Sequence, residues 1–308
     1  MKRDFLSLAD FTRPELEEIL HLAARLKRDL KDGKQAPLLA GKSLAMIFEK
    51  PSLRTRVTFE IGMNQLGGTA VNLTHRDIQL GQRESVADIA RNLERWVDLI
   101  MARTFAHATL VELARHAGVP VINGLSDLLH PCQVLADCFT LMEHRGRLDG
   151  MRIAFVGDAN NVANSWIDAA ATLNFDFILA SPPGYEPDAA TLQAARAAGG
   201  RVTITHDAAA AAQGADVLYT DVWTSMGQER EAEKRRRDFA AYQINADLLQ
   251  GAAAKAVVMH CLPAHRGEEI TAEVIDGPQS IVFDQAENRL HTQKAIMVWL
   301  HEKMKKHR

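Results

Sequence analysis

The nine residues from Phe48 to Arg56 combine a hydroxyl, two guanidinium groups and a helix start. They follow an apolar run over 43–48 that is typical of a strand, and they open a helical pattern that a Gly-Gly pair at 67–68 ends. The unpaired N–H groups and the macrodipole of a helix N-terminus attract anions, and arginine adds bidentate hydrogen bonds to phosphate oxygens. Ser52 could simply cap the helix. However, cations in a first turn oppose the dipole, so Arg54 and Arg56 favour a phosphate site.

The composition is that of a globular protein with no polyanionic partner. The chain has 308 residues, enough for two domains, with 47% hydrophobic and 24% charged residues. Its formal charge of −3 gives no reason to expect nucleic acid or an anionic membrane as partner. The densest basic cluster, 234–237, lies among acidic residues and is typical of a mixed-charge loop or helix start.

Three features predict a reducing, cytoplasmic location. The charged N-terminal segment has no apolar core of signal-peptide length. No run reaches the ~18 consecutive apolar residues that a membrane span needs. Three cysteines, Cys132, Cys138 and Cys261, are too few for a disulfide framework.

Apolar strand-like runs alternate with amphipathic helical patterns along the chain. The predicted strands cover 43–48, 69–73, 98–103 and 119–123 in a first series, and 152–157, 175–180, 201–205, 216–222 and 256–261 in a second. A helix begins near 13, others cover 53–66, 85–95, 107–117 and 131–144, and the last covers 287–305. Such alternation implies parallel sheets flanked by helices. The fold class is therefore α/β, with two doubly wound parallel-sheet domains.

Polar clusters lie at the carboxyl ends of the predicted strands, where open α/β sheets bind ligands. In the first series these clusters are Ser52-Leu53-Arg54-Thr55, Arg103 and His130-Pro131-Cys132-Gln133. In the second series they are Asn160-Asn161, Asp221 and His260-Cys261-Leu262-Pro263. We expect one cleft between the two domains to collect them.

These motifs, in this order, resemble those of the aspartate/ornithine carbamoyltransferase family, and specifically its ornithine branch. The resemblance covers nearly the full length and rests on Phe48-Glu49-Lys50-x-Ser52-x-Arg54-Thr55-Arg56, His130-Pro131-x-Gln133, Asp221-Val222-Trp223-x-Ser225-Met226-Gly227, His260-Cys261-Leu262-Pro263 and Glu287-Asn288-Arg289. One departure is Leu53, where the family usually has a threonine. The backbone N–H survives there, so we expect the phosphate site to persist.

The resemblance implies transfer of a carbamoyl group from carbamoyl phosphate to ornithine, giving citrulline, as in arginine biosynthesis. It assigns residues 1–146, completed by 287–308, to carbamoyl phosphate and 147–286 to ornithine. The residues expected to contact carbamoyl phosphate are Ser52, Leu53, Arg54, Thr55, Gln79, Arg103, His130, Gln133, Cys261, Leu262 and Arg289. Those expected to contact ornithine are Asn161, Asp221, Ser225 and Met226. Catalytic roles fall to Arg54, Arg103, His130, Asp221 and Cys261.

Two loops receive further roles from the resemblance. The segment 223–238, which has no helix pattern until its end, is expected to be a lid that excludes water. The loop around Gln79 resembles one that crosses into a neighbouring subunit, so we expect a homotrimer, or a multiple of trimers, with shared sites. No cofactor is implied. No metal is indicated, because the histidines and cysteines lack ligand spacing.

Four alternatives stay open at this stage. A nicotinamide or flavin enzyme is suggested by the loop at 156–161, although it lacks the second and third glycines of a dinucleotide loop. A non-catalytic ligand-sensing relative is disfavoured by the complete set of polar residues. Aspartate as acceptor would require cations where Asp221, Ser225 and Met226 stand. Relatives that act on acetylornithine or putrescine differ mainly in the amino-acid pocket.

Overall fold

The computed structural model describes residues 2–225 and 227–305. Its backbone contacts divide the chain into two compact units. The first consists of Met1–Phe139 with Glu287–Arg308, and the second of Thr140–Ala286. The chain passes from one unit to the other within two helices, α6 (Pro131–Arg145) and α13 (Val282–Lys305).

The first unit contains a four-stranded parallel sheet in the order β2-β1-β3-β4. The strands are β1 (Ser43–Phe48), β2 (Thr69–Thr74), β3 (Leu99–Arg103) and β4 (Val121–Leu125). The helices, besides α6 and α13, are α1 (Arg13–Lys31), α2 (Leu53–Gln65), α3 (His75–Ile78), α4 (Val86–Leu93) and α5 (His107–His116). The strand order reverses direction between β1 and β3, so the loops that follow these two strands flank a topological switch point.

The second unit contains a five-stranded parallel sheet in the order β7-β6-β5-β8-β9. The strands are β5 (Arg152–Val156), β6 (Asp176–Ala180), β7 (Arg201–Thr205), β8 (Val217–Thr220) and β9 (Val257–His260). The helices are α7 (Asn161–Thr172), α8 (Ala189–Ala197), α9 (Ala208–Ala212), α10 (Ala232–Asp238), α11 (Ala246–Gln250) and α12 (Ala272–Ile275). Its switch point lies between β5 and β8.

These two sheets confirm the predicted α/β fold class. All nine predicted strands are present among the described residues, although 216–222 ends early, at Thr220. Asp221 accepts the Val222 N–H on its own carboxylate (2.8 Å), so its side chain competes with the ladder and turns the chain. Among the residues described, no helix is long and apolar enough to cross a membrane.

The segment 223–238, for which the sequence showed no helix pattern until its end, is helical from Glu229 onward. A 3₁₀ turn covers Glu229–Glu231, and α10 follows it directly. The high charge of this segment hid the helix, because Arg235 is the one residue of α10 that is buried and the helix shows no apolar stripe.

An aromatic cluster forms the centre of the second unit. Phe155, Phe177, Tyr219 and Trp166 are fully buried, and the ring of Phe177 lies 6.2 Å from Trp166 and 6.4 Å from Phe155. The cluster fixes β5, β6 and β8 against α7. It therefore supports the two strands whose carboxyl ends flank the switch point.

Phe177→Ala should lower the free energy of unfolding by about 3–5 kcal/mol, because it removes a fully buried ring. The matched control is Phe283→Ala in the same unit, where the ring is 71% exposed; its loss should stay within about 0.5 kcal/mol. Urea unfolding followed by circular dichroism measures both. Equal losses of unfolding free energy in Phe177→Ala and Phe283→Ala would contradict the burial of Phe177 in this core.

Candidate active site

Ser52 caps the N-terminus of α2 a few residues after β1 ends. Ser52 Oγ accepts the Thr55 N–H (3.3 Å), and the Glu49 N–H donates to the Arg103 carbonyl (2.9 Å). This second bond aligns the chain after β1 with the end of β3, at the switch point. Leu53 points its side chain outward, 75% exposed, so it offers the site a backbone N–H only.

Three guanidinium groups converge on one buried imidazole. His130 directly precedes α6 and is 6% exposed. Burial lowers its pKa well below the usual value, and the charges of Arg289, Arg103 and Arg54 lower it further. His130 is therefore neutral near pH 7, and its ring still carries one N–H donor. The structure brings together these four predicted residues from four different segments.

Arg289 joins three helices of the first unit. It is 2% exposed, and it donates to Gln133 Oε1 on α6 and to Thr55 Oγ1 on α2 (3.3 Å). Gln133 in turn donates from Nε2 to Asp137 Oδ1 (2.8 Å). This last bond fixes which end of the Gln133 amide faces Arg289.

Asp137 is a residue that the sequence analysis missed. It is fully buried one helical turn after Gln133. The i, i+4 spacing of Gln and Asp on a predicted helix was the available signal. Its role is to orient the glutamine amide, whose oxygen then accepts from Arg289.

Gln79 lies apart from the buried arginine cluster. It is exposed and ends α3 in the left-handed region (φ 44). Its carbonyl accepts the N–H groups of Gln82 (2.8 Å) and Arg83 (3.1 Å). The turn therefore presents the glutamine side chain at the surface of its unit.

In the second unit, Asp221 is oriented by the loop after β5. Asn160 donates from Nδ2 to Asp221 Oδ2 (2.7 Å), while its own Oδ1 caps α7 at the Val162 N–H (2.9 Å). The predicted Asn161 begins α7 beside this cap. The sequence placed Asn160 in a strand-end polar cluster but assigned it no substrate contact. Asp221 remains 8% exposed.

His260, Cys261 and Leu262 form a rigid turn after β9. The fully buried His260 accepts the Leu262 N–H on Nδ1 (2.9 Å), and its Nε2 lies 3.1 Å from Glu269 Oε1. Nε2 therefore carries the proton and donates. Leu262 adopts φ 58, a left-handed conformation that costs a non-glycine residue roughly 1–3 kcal/mol and is frequent at functional sites.

The turn brings Cys261 close to Asp221. A sulfur, a carboxylate oxygen and a ring nitrogen of Cys261, Asp221 and His260 all lie within 4.8 Å of one another. Three such groups could in principle hold a metal ion. However, both ring nitrogens of His260 are engaged in hydrogen bonds, which argues against a metal ion at this cluster.

Ser225 lies in a tight turn of the segment after β8. Its N–H donates to Gln228 Oε1 (3.0 Å), and its carbonyl accepts the Gln228 N–H (3.0 Å). The Ser225 side chain is half-buried. Met226, the neighbouring predicted contact, lies outside the described residues.

Comparison with known proteins identifies the family. The sequence model of the carbamoyl-P binding domain of aspartate/ornithine carbamoyltransferases matches residues 3–143, and that of the Asp/Orn binding domain matches 149–300. The chain belongs to the aspartate/ornithine carbamoyltransferase family. It is 55% identical over 299 residues to an ornithine carbamoyltransferase of Symbiobacterium thermophilum, covering 96% of each chain.

Solved structures agree with this assignment. The ornithine carbamoyltransferase of Pyrococcus furiosus superposes with a TM-score of 0.93 at 52% identity over 96% of each chain. That of Thermus thermophilus gives 0.89 at 49% identity over 97% of this chain and 99% of the other. The predicted enzyme class and activity, ornithine carbamoyl transfer, are thereby confirmed.

His130 should stay neutral as the pH falls from about 8 to about 5.5, whereas a free histidine titrates near ~6.5. Ring resonances of labelled histidine, assigned with His130→Asn, measure this directly. Because the folded-state pKa is lowered, the unfolded chain takes up the proton first. The free energy of unfolding of the wild type should therefore fall, relative to His130→Asn, as the pH drops below ~6.5. A His130 resonance that titrates near ~6.5 would contradict the lowered pKa that burial and the three arginines give this residue.

Proposed function

We propose that this protein transfers the carbamoyl group of carbamoyl phosphate to the side-chain amine of L-ornithine, forming L-citrulline and phosphate. The observation that carries the proposal is the convergence of three guanidinium groups on the neutral, buried His130. We assign the first unit to carbamoyl phosphate and the second to ornithine. The boundaries predicted from the sequence, 1–146 with 287–308 and 147–286, differ in detail from the contact-based division at Phe139 and Ala286.

The first unit would hold the dianionic phosphate. Ser52, Arg54, Thr55 and Arg103, with the Leu53 N–H, offer charged and neutral donors at the N-terminus of α2 and the end of β3. As the carbonyl carbon gains a bond to the neutral amine nitrogen, its bond to the phosphate oxygen breaks and that electron pair leaves with phosphate. The nitrogen loses one proton in this step, and the departing phosphate takes it up. Charge therefore accumulates on the phosphate, where the guanidinium groups lie.

His130 would stabilise the carbonyl oxygen of the carbamoyl group. This oxygen gains negative charge as the amine attacks, and a neutral imidazole can donate its N–H to it. A donor oriented toward such a developing charge typically lowers the activation free energy by ~3–4 kcal/mol. Gln133 and Arg289 complete the pocket, with Thr55 and Asp137 fixing their orientation. Leu262 would offer its carbonyl to the carbamoyl amide.

The second unit would hold ornithine and orient its side-chain amine. The amine must lose a proton before it attacks, which costs roughly 4–5 kcal/mol at pH 7 for a group with a pKa near ~10.4. Asp221 and Cys261 would hold the amine close to the reacting carbon. Asn161 and the Met226 N–H would meet the substrate carboxylate, and Asp221 with Ser225 the α-ammonium group.

A homo-oligomer is the assembly we propose, with a trimer as its unit. Leu53, Val57 and Ile61 lie four residues apart along α2 and are 75%, 46% and 42% exposed. Such a stripe on one helix face is typical of a protein interface. Gln79, presented at the surface, would reach the site of a neighbouring subunit. A role in arginine biosynthesis and a cytoplasmic location complete the proposal, and the three free cysteines support a reducing compartment.

Arg54→Ala should reduce kcat/KM for carbamoyl phosphate by a factor corresponding to about 2–4 kcal/mol, because it removes a charged donor to the dianion. The matched control is Arg56→Ala on the same helix. The sequence grouped Arg56 with Arg54, but the structure places it at the surface, paired with Glu60 at 3.6 Å. It should remain close to wild type. Citrulline formation from carbamoyl phosphate and ornithine measures both. Near-normal kinetics for Arg54→Ala would refute the phosphate assignment.

Mixing two impaired variants tests whether neighbouring subunits share a site. If Gln79→Ala proves impaired, dissociating and reassociating it with Arg54→Ala should create some sites in which both residues are intact, because closed rings repeat one heterologous contact. Activity should then rise above that of either parent. Mixed oligomers that are demonstrated by mass but show no recovery would mean that each chain carries its own complete site.

A further inference from the structure

A buried ion pair anchors the segment that follows β8. Arg235 of α10 is 6% exposed and Asp158, in the loop after β5, is 7% exposed. Arg235 Nη1 donates to Asp158 Oδ2 (2.9 Å) and also to the carbonyl of Trp223 (2.9 Å). One guanidinium group thus joins the β5 loop, α10 and the backbone two residues after Asp221.

The surrounding contacts hold this guanidinium in one orientation. Its Nε donates to Glu231 Oε2 (3.2 Å), and its central carbon lies 5.0 Å from the centre of the Tyr185 ring. The Trp223 ring stacks on Phe239 at 5.9 Å, and Phe239 meets Tyr185 at 4.6 Å. Both the backbone and the ring of Trp223 are therefore fixed from the side of α10.

The β5 loop has little freedom to move away from Trp223. Gly157 adopts φ 140, and a Cβ there would come within 3.2 Å of Thr220 Oγ1 and 3.8 Å of the Trp223 ring. The next residues of this loop are Asp158, which binds Arg235, and Asn160, which binds Asp221. The β5 loop is therefore tied to the segment after β8 at two points. Asn160 binds Asp221, which precedes Trp223, and Asp158 binds Arg235, which holds the Trp223 carbonyl.

Stability alone does not account for this pair. Desolvation of two charges can exceed their attraction, and apolar replacements of buried pairs are often neutral or stabilising. Burial raises the pKa of Asp158 to about 6 against the opposing effect of Arg235, so the folded chain keeps this carboxylate charged near neutral pH at an energetic cost. A buried ion pair that lowers stability is expected where it fixes the position of neighbouring functional groups, here of Asp221.

We propose that Arg235, held by Asp158, is a positioning residue that sets the placement of Asp221 and Ser225 and thereby the affinity for the amino-acid substrate. The inference rests on the proposed assignment of the second unit to ornithine. Arg235 touches neither substrate. It acts through the Trp223 carbonyl, so its loss affects KM for ornithine and leaves KM for carbamoyl phosphate unchanged.

Arg235→Met should raise KM for ornithine by about 10- to 100-fold, because small misplacements of binding groups have effects of this size. KM for carbamoyl phosphate should change by less than about threefold. Arg235→Lys keeps the charge but loses the fork whose Nη1 serves Asp158 and Trp223 while Nε serves Glu231. Its KM for ornithine should therefore lie between those of the wild type and Arg235→Met. Arg236→Met is the matched control, because Arg236 is exposed and pairs with Glu268 at 2.9 Å.

A double variant, Arg235→Met with Asp158→Leu, separates positioning from stability. It removes both charges, so urea unfolding should show wild-type or higher stability, while KM for ornithine should remain raised. A double variant with a wild-type KM for ornithine would overturn the inference, as would equal rises in both KM values for Arg235→Met. Wild-type protein that forms no citrulline from ornithine would overturn the proposed function itself, and the inference with it.

Discussion

The placement of three positive charges around the buried His130 is the interaction on which the proposed site of the first unit depends. Arg103 and Arg289 are 7% and 2% exposed, and together with Arg54 they lower the pKa of His130 well below its usual value. Water screens such charges poorly in a buried position, which supports the proposal that this cluster is the anion site. The helices serve this arrangement: α2 supplies its N-terminus, α6 carries Gln133 and Asp137, and α13 delivers Arg289. A dianion that enters this place relieves the repulsion among the guanidinium groups.

The second unit also contains a parallel sheet, but its proposed role is to hold an amine substrate. We propose Asp221 as the carboxylate that orients the amine nucleophile, and hydrogen bonds from Asn160 and from the adjacent Val222 N–H fix its position. Cys261 is placed beside it by a turn whose conformation His260 and Glu269 fix through two hydrogen bonds. In each unit part of the site lies where the strand order reverses, after β1 and β3 in the first and after β5 and β8 in the second. His130 and Cys261 follow the next strands outward, β4 and β9. The parallel sheet therefore determines where chemistry can occur, and the loops determine which chemistry.

Strands and long helices could be predicted from the sequence because their signal is local. The apolar run at 43–48 matches β1, which is buried along almost its whole length, since buried parallel strands are continuously hydrophobic. The run at 201–205 matches β7, an edge strand that is recognisable from its β-branched residues. Candidate site residues were assigned by their place after strands and by family motifs, and these assignments stay predictions. What could not be predicted depends on tertiary contacts. The buried role of Arg235 is invisible in a run of four basic residues, and Asp137 acquires its function only when Gln133 meets Arg289 from the far end of the chain.

The central claim is that a carbamoyl group moves from phosphate to the side-chain amine of ornithine. Its most direct test supplies the protein with ¹³C-labelled carbamoyl phosphate and, in separate samples, ornithine, acetylornithine, putrescine or aspartate, and follows the products by ¹³C NMR. The account predicts a labelled ureido carbon on the side-chain nitrogen of ornithine, formed far faster than with the other three acceptors. Faster transfer to acetylornithine, putrescine or aspartate, or no transfer to ornithine, would contradict it.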